Sequence, residues 1–170
     1  LLDMLRNVGK KNPDNTDLQL VLSMRLVQIG SEEDAKNGLK KLWEIAALDT
    51  ETGLKALEFI DSVKKLTLDD QQRLSDRLEH HPLAKEVHRI AALKHRAAME
   101  PDAKQREAIY AKAIDDRRSV KREDLPPLIR WLNDENQCQR VVDFLRQRED
   151  QVREYKPLLQ NYLNALTRLD

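Results

Sequence analysis

Apolar residues return every three or four positions along almost the whole chain, the spacing that lines one face of an α-helix. Leu1, Leu5 and Val8 form the first stripe, and Gly9 is expected to end that helix in a left-handed conformation before Asn12 and Pro13 break the chain. Leu18, Leu22, Leu26 and Ile29 follow, stopped by Gly30. Ser31 with Asp34 has the form of a capping box, and Ala35, Leu39, Leu42, Trp43 and Ala46 continue from it. Thr50 caps a helix carrying Leu54, Leu57, Ile60 and Val63, and Thr67 with Asp70 opens one carrying Leu74 and Leu78. After Pro82 come Leu83, Val87, Ile90, Ala91, Ala97 and Ala98, ended by Pro101. Asp102 caps Ile109, Ala113 and Ile114. Asp124 is expected to cap the next helix, with Pro126 and Pro127 in a first turn whose amides lack helical partners anyway, and Asn136 to terminate it. Val141, Val142 and Leu145, then Leu159, Tyr162, Leu163 and Leu166, mark two more. The reading is all-α, about ten helices of roughly 12 to 17 residues, with links so short that consecutive helices must turn back on one another.

The helices fall into two interleaved series. One begins near residues 17, 51, 83 and 123, the other near 32, 69, 102 and 136. The steps are 34, 32 and 40 residues in one series and 37, 33 and 34 in the other, around a period typical of arrays of helix pairs. Pro13 and Pro82 both stand where one pair ends and the next begins. Each pair leaves an apolar face that only stacking can cover.

The stretch from 10 to 43 carries a sharper signal. Leu22 and Ser23 are a large–small couple on a first helix, followed by Leu26, Gly30 at the turn, and Ala35 and Leu39 on the second helix. Pro13 stands where a preceding unit closes, and Leu42 departs from the small residue expected there. This pattern resembles the tetratricopeptide repeat family. Tyr110, Ala113 and Ile114, and the series Leu128, Leu132, Asn136, Val141 and Leu145, keep parts of it, while Lys94 and Arg106 depart from its small positions. The resemblance implies antiparallel helix pairs stacked in a right-handed superhelical array. It would form a single domain over 1–170, with about four helix pairs plus partial end units. The chain begins without Met and reads as a fragment of a longer protein.

What the resemblance implies for function is a non-catalytic interaction or scaffold module that presents a concave groove to a protein or peptide partner. In such arrays the first helices line the groove. The matching positions are Leu20, Met24, Val27 and Gln28, then Phe59, His88, His95 and Arg130. Family members that clamp a C-terminal carboxylate use Lys and Asn there. Leu20 and Met24 point instead to an apolar or amphipathic segment.

Composition narrows the alternatives. Lys plus Arg and Asp plus Glu are 30 each, so no global field draws the chain to nucleic acid or anionic lipid. An RNA-binding helical repeat is the second reading, a purely structural inter-domain segment the third, and a helical-bundle enzyme or metal protein the fourth. The charged joint 115–124 interleaves acids with its cations and carries no aromatic. His88 and His95, seven residues apart on one helix, are too distant to share a metal, and His80 and His81 read as a polar flank. Glu32–Glu33 and Asp69–Asp70 fall in first helical turns, where negative charge meets the positive dipole end. Cys138 is the single cysteine and reads as a structural thiol. No cofactor, metal or catalytic residue is assigned. A soluble protein is expected, with no targeting segment, no run of the roughly 20 apolar residues that span a bilayer, and an end-on homodimer through the open faces.

Overall fold

Side-chain caps set where five of the helices begin. The computed structural model describes residues 2–169, except the side chain of Leu5, so the expected roles of Leu1 and Leu5 lie outside the described residues. The α-helices are α1 (Leu2–Lys11), α2 (Thr16–Ile29), α3 (Glu32–Ala46), α4 (Glu51–Asp61), α5 (Leu68–His80), α6 (Glu86–Met99), α7 (Ala103–Asp115), α8 (Pro126–Asp134), α9 (Cys138–Arg146), α10 (Glu149–Glu154) and α11 (Lys156–Thr167). A 3-10 turn spans Arg122–Asp124, and no strand occurs among the described residues. Both halves of the Ser31–Asp34 capping box are made. Thr50 accepts from the Gly53 amide, Thr67 from that of Asp70, and Asp102 from those of Lys104 and Gln105.

Three local expectations are corrected. Gly9 does not end α1 but lies inside it, and no glycine has positive φ among the described residues. A Cβ at Gly9 would come within 2.5 Å of the Leu22 side chain, so this glycine allows α1 to approach α2. Gly30 does close α2, in an extended conformation, donating its amide to the Leu26 carbonyl. Asp124 does not cap α8; it belongs to the 3-10 turn, and Leu125 precedes the two prolines with no side-chain cap. The helix carrying Ile90 starts at Glu86, which leaves Leu83 outside it and exposed, with Val87 exposed as well.

Asn136 ends α8 as expected, with φ at 58°. The Gln137 amide reaches back to the Leu132 carbonyl and the Asn136 amide to that of Asn133, the paired bonds of a Schellman cap.

The chain divides into two compact units, Leu1–His88 and Arg89–Asp170. In the first, α2 packs most extensively on α3, α3 on α4, and α2 also touches α4. Leu42, Leu57, Ile60, Leu74 and Leu78 are fully enclosed there. In the second, α11 packs on α8, α9 and α10, over a core that includes Leu125, Leu128, Ile129, Leu132, Val141, Leu145 and Leu158.

The α2–α3 crossing is close. A Cβ on Gly38 would lie 2.8 Å from the Ser23 carbonyl oxygen, 3.0 Å from the Leu26 Cβ and 3.1 Å from a Val27 methyl. Thr16 and Gln19 at the start of α2 border the same hollow as Glu44 and Leu48 at the far end of α3. The two helices therefore run in opposite directions.

Polar bonds between distant residues share one interval. In the first unit they join Arg6 to Asp34, Thr52 to Asp17, Arg77 to Asp49 and the Ala46 carbonyl, His81 to the Leu48 carbonyl, and His88 to Glu58. In the second they join Tyr110 to Glu135, Arg140 to Glu107, Arg122 to Glu154, Asn133 to the Asn161 carbonyl, and Arg168 to that of Asn133. The separations run from 25 to 35 residues.

Candidate functional site

Helix α2 is apolar around most of its circumference, so packing rather than sequence selects its exposed arc. Leu20 is only 6% exposed and belongs to the interior. Val27 puts a methyl against Gly38 of α3. Leu20 is corrected from a groove-lining to a packing position, whereas Val27 is half-buried. Met24 is half-buried and Gln28 exposed, where it accepts from Arg25 at 3.1 Å. The residue missed by the sequence reading is Val21, at 49% exposure, one turn beyond Asp17, one before Arg25 and two before Gln28. Its neighbour Leu20 was indistinguishable from it by apolarity alone.

Helix α4 lies alongside. The Thr52 hydroxyl donates to Asp17 at 2.7 Å, joining the first turn of α4 to the first turn of α2. The two helices thus start at the same end and run the same way. Two turns further on, at the seven-residue interval, come Met24 and Phe59, both half-buried. The outer arc of α4 carries Glu51, Lys55 and Glu58, all exposed. Lys55 binds Glu51 at 2.9 Å. Its pKa is raised, first by the Glu51 hydrogen bond and charge and then by Asp17 and Glu58. Val21 and Met24 share an arc of α2, and Glu51, Lys55 and Glu58 share the exposed arc of α4.

His88, assigned to the same groove, is 7% exposed and so is also corrected. Its Nδ1 accepts the Lys85 amide at 2.8 Å, which leaves the proton on Nε2 to bond Glu58 at 2.8 Å. His81 repeats the arrangement: Nδ1 accepts the Leu83 amide and Nε2 donates to the Leu48 carbonyl, both at 3.2 Å. Two imidazoles therefore fasten the α5–α6 connection. They are not a polar flank, because the loop amides needed buried acceptors. His80 is exposed and bonds the Asp76 carbonyl. His95 is half-buried and Arg130 exposed, both in the second unit.

The charged joint of the second unit is internally committed. Arg148 donates to the carbonyls of Arg117, Arg118 and Val120 and lies 4.8 Å from the Phe144 ring, and burial lowers its pKa. Arg122 is held by Glu123 and Glu154, Arg118 by Asp115. Sequence spacing gave no sign of Arg148, because its carbonyl partners lie 28 to 31 residues upstream. Tyr110 is 3% exposed and donates to Glu135 at 2.9 Å; burial, then that carboxylate, pushes its pKa up to about 12. Cys138 is buried in the core. Among the described residues no cluster of His, Cys, Asp and Glu is placed to hold a metal ion, and no helix is long and apolar enough to cross a membrane.

No protein-family model matches the chain, and neither a curated protein nor a solved structure is similar to it.

Proposed function

We propose that the chain is a non-catalytic helical-repeat array of the tetratricopeptide type, an interaction or scaffold module that receives a partner segment on its first helices. The observation that carries the reading is the common 25-to-35-residue interval of the bonds between distant residues. That interval is what stacking of helix pairs near a 34-residue period requires. The parallel course of α2 and α4, with α3 reversed against α2, is the local arrangement of such an array. Right-handed superhelical stacking is the continuation of it.

The receiving surface in the first unit is the strip of Val21, Met24, Gln28 and Phe59, with Leu20, Val27 and His88 supporting it from within. Apolar anchors with a polar border suit helix-in-groove or extended-peptide recognition. A test titrates fluorescent peptides of about 14 residues, bearing leucines at helical or alternate spacing, with the whole chain. At least one peptide should bind saturably. Val21→Asp and Met24→Asp should abolish that binding while leaving the thermal melt of the chain in place. The reading fails if no peptide binds, or if both variants bind like the parent.

A further inference from the structure

The connection from α5 to α6 runs from His81 to Lys85 and is anchored by two buried imidazoles in the same tautomer. His81 accepts the Leu83 amide on Nδ1 and donates from Nε2 to the Leu48 carbonyl, in the link between α3 and α4. His88 accepts the Lys85 amide on Nδ1 and donates from Nε2 to Glu58 of α4. Lys85 directly precedes α6 and His88 is its third residue, so this imidazole makes the bond that glutamate or glutamine makes in a capping box. His88 is also the last residue of the first unit, so the connection is the chain's way out of that unit. A ring nitrogen accepts a hydrogen bond only while it carries no proton, and here both acceptors are Nδ1.

We infer that this connection is an acid-released latch: a proton taken up on Nδ1 of His81 and of His88 ends the bonds to the Leu83 and Lys85 amides and frees residues 82–87 from the first unit. A proton and an amide hydrogen cannot share one lone pair. A buried imidazolium set against an N–H has an unsatisfied donor on each side, so ring and amide must part and both reach water. Among the described bonds, neither Nδ1 meets an acceptor that would take its new proton. Around His81 stand Arg77 of α5, bound to Asp49 and the Ala46 carbonyl, Asp49 itself in the α3–α4 link, and His80, exposed on the Asp76 carbonyl. Around His88 stand Glu58 of α4, Lys55 one turn before it, and Lys85, Glu86 and Arg89 on its own segment. The Glu58 carboxylate attracts an imidazolium at His88, so the ring is drawn to α4 as it gives up the Lys85 amide. The helix opposes the same charge, because a cation in the first turn of α6 meets the positive dipole end. Between the two rings only Ala84 is buried, so little packing holds the segment once the two bonds are lost. Release is therefore local, and the rest of the unit keeps its core.

Nuclear magnetic resonance on the whole chain, labelled with nitrogen-15, tests this between about pH 8 and about pH 5, the range in which histidine is the side chain that changes charge. The ring Hε1 signals of His81 and His88 report the proton, and the amide signals of Leu83 and Lys85 report the two bonds. Ring and amide signals should move with a shared midpoint. Exchange protection of both amides, corrected for the intrinsic pH dependence of exchange, should fall about tenfold or more, while that of the enclosed core residues Leu57 and Leu74 is kept. His81→Asn combined with His88→Gln retains an acceptor for each amide, through an Asx turn and a capping box, and takes up no proton in this range. That double variant should lose the response. The inference is overturned if the rings titrate while the Leu83 and Lys85 amides stay fixed, or if both rings remain neutral down to pH 5. It is equally overturned if the double variant responds like the parent, which assigns the change to other groups. Should the double variant fail to melt cooperatively at pH 8, the coincidence of ring and amide midpoints in the parent chain decides alone.

Discussion

Replacing Gly38 by alanine tests the α2–α3 crossing on which the candidate strip depends. In an exposed helix interior this change stabilises by about 1 kcal/mol, because alanine is the better helix former. At Gly38 the new Cβ would lie 2.8 Å from the Ser23 carbonyl oxygen and 3.0 Å from the Leu26 Cβ. Neither neighbour can rotate away, because one is backbone and the other is attached directly to it. Ordinary carbon contacts need about 3.5 Å, so α3 must retreat by roughly half an ångström along the most extensive interface of its unit. Overpacking of a tight interior costs about 1–3 kcal/mol. Set against the propensity gain, the expected result is net destabilisation by about 1 kcal/mol. Asn37→Ala, at the exposed neighbouring position, serves as the control and should be neutral or slightly stabilising. Urea unfolding, followed by far-UV circular dichroism and by tryptophan emission, reads the difference. With a slope of roughly 1–2 kcal/mol per molar, the midpoint should drop by about 0.5–1 M. Trp43 sits on α3, so its emission follows the affected helix. A midpoint that rises in Gly38→Ala, by as much as helix propensity alone would give, refutes the close crossing.

The left-handed residue of the α8 cap makes Asn136→Gly stabilising by a few tenths to 1 kcal/mol and Asn136→Ala destabilising by about 1 kcal/mol; equal melts for the two variants would contradict the cap. Tyr110 holds its proton longer in the folded chain than in the unfolded one. The unfolded state therefore binds fewer protons between about pH 10 and the folded value of about 12, and stability must fall across that window. Tyr110→Phe should flatten that alkaline decline, measured by urea midpoints against pH; an unchanged decline would show that Tyr110 does not cause it. On the acid side, the Ser31 hydroxyl and amide and Arg6 hold the Asp34 pKa below its usual value. Its contribution is present above the unfolded carboxylate pKa and is lost as pH falls through the folded one, so Asp34→Asn should reduce the acid-side loss. Leu20→Ala should cost about 2–4 kcal/mol as a buried truncation, while Val21→Ala should stay within about 0.5 kcal/mol; the reverse order would restore Leu20 to the surface.

Local signals were legible because local bonds cause them. Ser31, Thr50, Thr67 and Asp102 each satisfy an amide two or three residues away, so the helix starts of α3, α4, α5 and α7 fall within one residue of where the sequence sets them. Asn136 was readable for the same reason. Gly9 and Gly38 were not, because a glycine used for close approach is explained by a residue on another helix. The phase of α2 could not be chosen while nearly every side was apolar, and one position of error exchanged buried Leu20 for exposed Val21. His81, His88 and Arg148 owe their places to carbonyls, amides and carboxylates up to 33 residues away, and no spacing rule predicts such partners.

The interval of the distant bonds also bears on how the chain is made and altered. A chain whose described long-range bonds reach no further than 35 residues closes only short loops, so each step can form as soon as the next stretch is synthesised. Under the proposed stacking of helix pairs, insertion or removal of one whole step would keep these bonds in register with counterparts. Loss of two or three residues inside a step would displace the bonds on both sides of it together. Under the same proposal, tolerated length changes come in units of about 34 residues, and deletions of two or three residues are disfavoured even at exposed positions.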